Sequence, residues 1–151
     1  MPQESDVIEV LSDWPFPEPG APEPQIRADD TKLSLRYSTR DNRIAVIGFP
    51  LVEIIKFGSP NDEALGGHPL MKNGLEFYAV HRVKKSSWIA ELEEQNSIHP
   101  RHDKQRFLEG LHHYIFTFHD STLELVAVEG EYWKPAIFLV DSEEEVQNVL
   151  L

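Results

Sequence analysis

The sequence predicts an α+β protein: an antiparallel β-sheet of about five to six strands, with one central helix and a C-terminal helix packed on it, preceded by a proline-rich extended N-terminal segment. Three observations carry this. Runs of alternating or continuous apolar, β-branched and aromatic residues recur between short turn-forming clusters, as in Leu33 to Tyr37, Ile44 to Ile55 and Tyr114 to Phe118. Most neighbouring runs are joined by connections of hairpin length, which makes the strands antiparallel. Two segments, after Ser86 and after Asp141, join a capping residue to helical patterning.

The elements follow in chain order. Residues 1–30 form an acidic, proline-rich segment ahead of a single α+β domain over 31–151, a length that suits one core rather than two. Val7, Val10, Leu11 and Trp14 stand at i, i+3, i+4 and i+7 behind Ser5 or Asp6 as N-cap. That spacing predicts a short amphipathic helix stopped by Pro15. Pro15, Pro17, Pro19, Pro22 and Pro24 then predict an extended spacer. In the domain, Leu33, Leu35 and Tyr37 alternate with polar residues as one strand, and Arg40-Asp41-Asn42-Arg43 reads as its hairpin turn. Gly48 and Pro50 predict a bend that splits the apolar run from Arg43 to Phe57 into two strands.

Residues 58–74 lack periodicity and predict a long loop, of the kind that is often functional. Leu75 to Val83 predicts a strand. Ser86 or Ser87 caps a helix that runs to about Ser97 and is over by His99-Pro100. A basic linker with a helical turn near Phe107-Leu108 follows. Leu111 to His119 and Thr122 to Val128 then predict a hairpin across Asp120-Ser121, and Ala136 to Val140 a last short strand. Glu143, Glu144 and Glu145 suit the first turn of a terminal helix, where its dipole favours acids.

Charge is unevenly laid out. Of the net −12, residues 1–30 carry −7 and residues 129–151 carry −5, while the body between them sums to zero. Acidic ends disfavour phosphate backbones and anionic membranes as partners. The absence of cysteine excludes disulfides, thiol nucleophiles and cysteine-ligated metals. Met1 to Asp6 has no basic region of a secretory signal, and no apolar run reaches membrane-spanning length, so a cytoplasmic setting is expected.

Five of the seven histidines fall between His99 and His119. A two-residue turn at Asp120-Ser121 would set His119 opposite Thr122 and diagonal to Glu124, where a carboxylate can orient an imidazole as a base or metal ligand. The catalytic candidates are therefore His119, Asp120 and Glu124, with His68 of the long loop as a distant fourth member. Asn61, Asp62 and Glu63 of the same loop and Trp133 after Gly130 are ligand-binding candidates. His99 and His102 are metal candidates, although spacing fixes no third ligand beside them. Adjacent strand residues face opposite ways, so His112 and His113 cannot both join one site.

No nucleophile elbow, phosphate loop or HExxH helix accompanies these residues. The expected function is a soluble, non-enzymatic binding or interaction protein. It would engage a protein partner through the N-terminal segment, and neither nucleic acid nor membrane. The alternative is a small hydrolase-like or metal-assisted enzyme on the 58–74 loop and the 111–128 hairpin, with a divalent metal as cofactor. Neither reading fixes an oligomeric state.

Overall fold

The structure, a computed structural model, describes residues 5–20 and 23–149; Met1 to Glu4 and Pro22 lie outside them. The α+β class is as expected, but the strands form two sheets where one was predicted. Among the described residues there are nine strands: β1 (Val7–Val10), β2 (Gln25–Ala28), β3 (Leu33–Ser38), β4 (Ile44–Phe49), β5 (Val52–Gly58), β6 (Val80–Lys84), β7 (Leu111–Thr117), β8 (Thr122–Val128) and β9 (Ala136–Val140). They pair antiparallel throughout, in the orders β1-β6-β7-β8-β5 and β2-β3-β4-β9. Pro50 and Leu51 mark the division, because β4 lies in one sheet and β5 in the other. A proline that cannot donate to a ladder and a turn after Phe49 pass the chain across, so the predicted bend becomes a change of sheet.

The main core lies between the sheets. Leu33, Leu35, Tyr37, Ala45, Ile47 and Phe49 of the four-stranded sheet meet Val80, Tyr114, Phe116, Leu123, Leu125 and Ala127 of the five-stranded sheet, together with Phe118. Period-two alternation puts these side chains on inner faces and leaves the second face of each sheet to be covered separately.

On the five-stranded sheet that second face carries three elements. Helix α1 (Ser87–Asn96) packs Trp88, Ile89 and Leu92 over Leu111 and Val126. Helix α2 (Lys104–Gly110) is capped by Asp103 and adds Phe107 to that cluster. The segment predicted as a loop forms two 3₁₀ turns, Asp62–Gly67 and Met71–Asn73, and inserts Leu65 beside Leu75, Val83 and Ile115. Helix α3 (Glu143–Val146) is a short turn against β4 and β9.

The N-terminal segment differs from expectation. Val7–Val10 is an edge strand, not a helix, paired with β6 from Val7 opposite Lys84 to Val10 opposite His81. Val7, Ile8 and Val10 are β-branched, and the open edge of β6 satisfies their backbone groups, so tertiary pairing overrides the helical spacing. Trp14 packs against Phe49, Tyr114 and Phe116, and the Tyr37 hydroxyl donates to the Pro15 carbonyl at 2.6 Å. Pro17 bridges to Thr39 and Gln25–Ala28 pairs with β3. These residues are part of the packed body, not a tether ahead of it. The strand expected from Leu75 is also shorter, beginning at Val80 after Tyr78 adopts a left-handed backbone with φ 50°.

Candidate functional site

The titratable side chains gather on the outer face of the five-stranded sheet. Thr117 lies opposite Thr122 and Ile115 opposite Glu124, because His119-Asp120 forms the turn and the Phe118 amide donates to the Ser121 carbonyl. The ladder is thus shifted by two residues from the predicted register. Glu124 becomes diagonal to His113, not to His119.

Glu124 is the centre of a continuous hydrogen-bonded line. Its Oε1 is 2.9 Å from His113 Nε2, and its Oε2 is 2.9 Å from His68 Nε2. On the far side of each ring, His113 Nδ1 is 2.8 Å from Ser86 Oγ, and His68 Nδ1 accepts from the Leu70 amide at 3.0 Å. These partners fix the protons. A ring nitrogen that accepts from an amide leaves the other as donor, so His68 Nε2–H donates to Glu124. The ionised Glu124 carboxylate can only accept, so His113 Nε2–H donates to it, which leaves Nδ1 of the neutral ring to accept the Ser86 hydroxyl proton while Ser86 Oγ accepts from the Ile89 amide as the N-cap of α1. Burial alone would raise the Glu124 carboxyl; the two imidazole hydrogen bonds outweigh it and hold it at about 2.

Position follows from alternation. His113, Ile115 and Thr117 of β7, Glu124 of β8 and His81 of β6 share this face. His81 is fully buried; its Nε2 accepts from the Glu76 amide and its Nδ1 donates to the Ile115 carbonyl, while burial pushes the imidazole below its ordinary value. Trp88 packs edge-on to His113, and Lys56 Nζ lies 4.2 Å from the Trp88 ring centre. Side-chain exposure of His68, His113 and Glu124 is 6, 3 and 14%, so α1, the 3₁₀ segment and β5 together close over the line.

The line has the composition of a serine–imidazole–carboxylate relay. The Ser86 hydroxyl is buried and already caps a helix. Two concavities of about 650 and 630 Å³ lie elsewhere, one on the four-stranded sheet beside Arg27, Lys32 and Arg36, the other beside Trp14, His112 and Glu129.

The remaining candidates are dispersed. His119 is 44% exposed, with Nδ1 2.8 Å from Asp62 Oδ2 but out of line for a hydrogen bond, and Nε2 3.7 Å from Asp120. Tyr78 donates to Asp62 at 2.6 Å, which lowers the Asp62 carboxyl and raises the Tyr78 phenol. Asn61 accepts from the Ala64 amide as the cap of the first 3₁₀ turn, and Glu63 is exposed. Trp133 is 45% exposed on the turn before β9, remote in sequence from this face. His99 Nδ1 accepts from the Arg101 amide, whereas His102 is held between Asn96 and Glu93. Their nitrogens face different partners, and among the described residues no group of three or more His, Asp or Glu side chains is arranged to hold a metal ion.

Sequence reading therefore selects Glu124 and His68, which meet, but passes over His113, Ser86 and His81. The available signal was face parity: His113 shares its face with Thr117, and a shift of two residues keeps that parity while changing the neighbour. No match to this chain is found among protein-family models, curated proteins or solved structures.

Proposed function

We propose that this chain is a non-enzymatic interaction protein that takes a protein partner on β9 and the turn before it. One observation carries the reading. Of eleven large hydrophobic side chains that stand exposed among the described residues, five (Tyr132, Trp133, Ile137, Phe138 and Leu139) fall within one short stretch. Contiguous exposed apolar residues mark interaction sites more often than isolated ones do, and aromatic anchors contribute most of the energy there. The histidine–carboxylate line supports the same reading from the other side, since its hydrogen-bonding capacity is spent inside the fold. The N-terminal segment is replaced as the partner-binding element, because Ile8, Leu11, Trp14 and Phe16 are committed to packing against the cores. The acidic ends favour a protein over a nucleic acid or an anionic membrane, and no helix of the described residues is long and apolar enough to cross a membrane. The cytoplasmic placement stays part of the proposal.

Photo-crosslinking in the producing cell tests it. A photoreactive phenylalanine analogue in place of Trp133 should give a discrete protein adduct, lost in the double variant Ile137→Lys, Leu139→Lys. The same group in place of Ile98, which is 91% exposed just after α1, should give none. Equal adducts from both positions, or none from Trp133, would reject the reading.

A further inference from the structure

We infer that the partner for β9 is a second copy of this chain, whose own β9 adds antiparallel across a twofold axis near Phe138. The inference rests on the interaction reading above and names its partner. The two four-stranded sheets would then run on as one.

The strand edges of the molecule are not alike. β1 carries Glu9 and β2 carries Arg27, while β5 carries Glu53 and Lys56 and is interrupted by a bulge between Val52 and Ile54. Charges and bulges of this kind keep open edges from pairing with other chains. β9 has neither: Ala136-Ile137-Phe138-Leu139-Val140 is uncharged and regular against β4. Its backbone makes no further backbone hydrogen bond among the described residues, so the outward amides and carbonyls await a partner.

Side chains on both faces stand unfinished in the same way. Ile137 and Leu139 share the inner face with Ile47 and Ala45, yet remain 39 and 40% exposed. Phe138 shares the outer face with Val46 and is 38% exposed. With the axis at Phe138, Ile137 of each copy faces Leu139 of the other on the inner face, and the two Phe138 rings meet on the outer one.

Charge selects the second copy and the antiparallel sense. Lys134 stands just before β9 and has no ion-pair partner among the described residues, while Asp141 and Glu143 to Glu145 follow the strand. Antiparallel pairing sets the lysine of each copy opposite Ser142, between the acids of the other; parallel pairing would set acids against acids. A twofold contact of this type is self-complementary and closes at two copies.

The test uses the full chain. Sedimentation velocity over about a hundredfold range of concentration should show a monomer–dimer equilibrium, since assembly follows mass action. The double variant Ile137→Lys, Leu139→Lys, substituted at exposed positions, should keep the circular dichroism of the parent and sediment as a monomer. Because the chain has no cysteine, a single Phe138→Cys can bond only to its counterpart and should form a disulfide-linked dimer on mild oxidation. Ala136→Cys, which faces Val140 of the other copy, should not. A monomer at every concentration overturns the inference, as does a dimer that survives the lysine variant and crosslinks at no position from 136 to 140. Failure of the interaction reading looks different: no Trp133 adduct forms in the cell. A monomer in solution that still gives a Trp133 adduct with another protein defeats self-pairing alone.

Discussion

At Glu124 one carboxylate accepts from two imidazoles whose other nitrogens are already committed, His68 to the Leu70 amide and His113 to the Ser86 hydroxyl. Glutamine at this position keeps the shape but offers one acceptor and one amide donor, so either one Nε2–H faces a donor or His113 switches tautomer and leaves the buried Ser86 hydroxyl proton without its acceptor. Glu124→Gln should therefore lower unfolding stability by about 1–3 kcal/mol, the range for a buried polar group left unsatisfied. An unchanged urea midpoint would show that the line is not under hydrogen-bond constraint. The same residue sets an acid limit. Its folded carboxyl sits at about 2 against an ordinary 4.5, so the unfolded chain binds more protons between those values. The stabilisation is complete above pH 4.5 and is lost as pH falls toward 2. His81 shifts in the same sense: burial lowers it from an ordinary 6.5, so its neutral form stabilises fully above that pH and progressively less below it. Thermal unfolding followed against pH should decline in two stages, and Glu124→Gln should shrink the lower stage, to which the lowered Asp62 carboxyl also contributes, while leaving the upper one.

Among the elements, the strap formed by residues 6–17 shows most clearly how local pattern and tertiary context compete. Trp14 is half-buried, with its ring centre 5.2 Å from that of Tyr114 and 6.3 Å from that of Phe49. Trp14→Ala should cost about 2–4 kcal/mol, somewhat below the range for a fully buried large aromatic, read from chemical denaturation. Removing residues 1–24 should expose the β6 edge and weaken folding; a truncated chain as stable as the parent would show the strap to be dispensable.

The strap's helical spacing is present in the sequence, but so are three β-branched residues within four, and only the free edge of β6 decides between them. Elements whose own residues decide are legible: the alternation of Leu33, Leu35 and Tyr37, the Ser86 cap of α1, the limits of β8 and the apolar β9 were all accessible from local chemistry. The division into two sheets was less so, because Pro50 marks a break without saying what lies beyond it. In the site, His68 and Glu124 were visible as titratable residues next to apolar ones. Their partner was hidden by the choice between two adjacent turns, His119-Asp120 and Asp120-Ser121, both of suitable composition. Ser86 was visible as a cap, which concealed that the same hydroxyl also orients an imidazole.

For the whole molecule, the two sheets differ in what remains unfinished. The five-stranded sheet is covered on both faces, between the main core and the layer of α1, α2 and the 3₁₀ turns. The four-stranded sheet ends at β9 with uncharged, exposed side chains and an outward backbone edge that has no partner among the described residues. Chains that leave such an edge open risk indiscriminate aggregation, and the acidic residues crowded after β9 oppose it by disfavouring parallel pairing, which sets acids against acids, relative to antiparallel pairing that brings Lys134 to them. The edge can be read at the backbone itself by amide hydrogen exchange on the purified chain, followed from dilute to concentrated solution. The amides of Ala136 to Val140 that point away from β4 should be protected in concentrated solution and lose that protection on dilution, while those bonded to β4 do not change. Outward amides that exchange at loop rates at every concentration would contradict pairing through this edge.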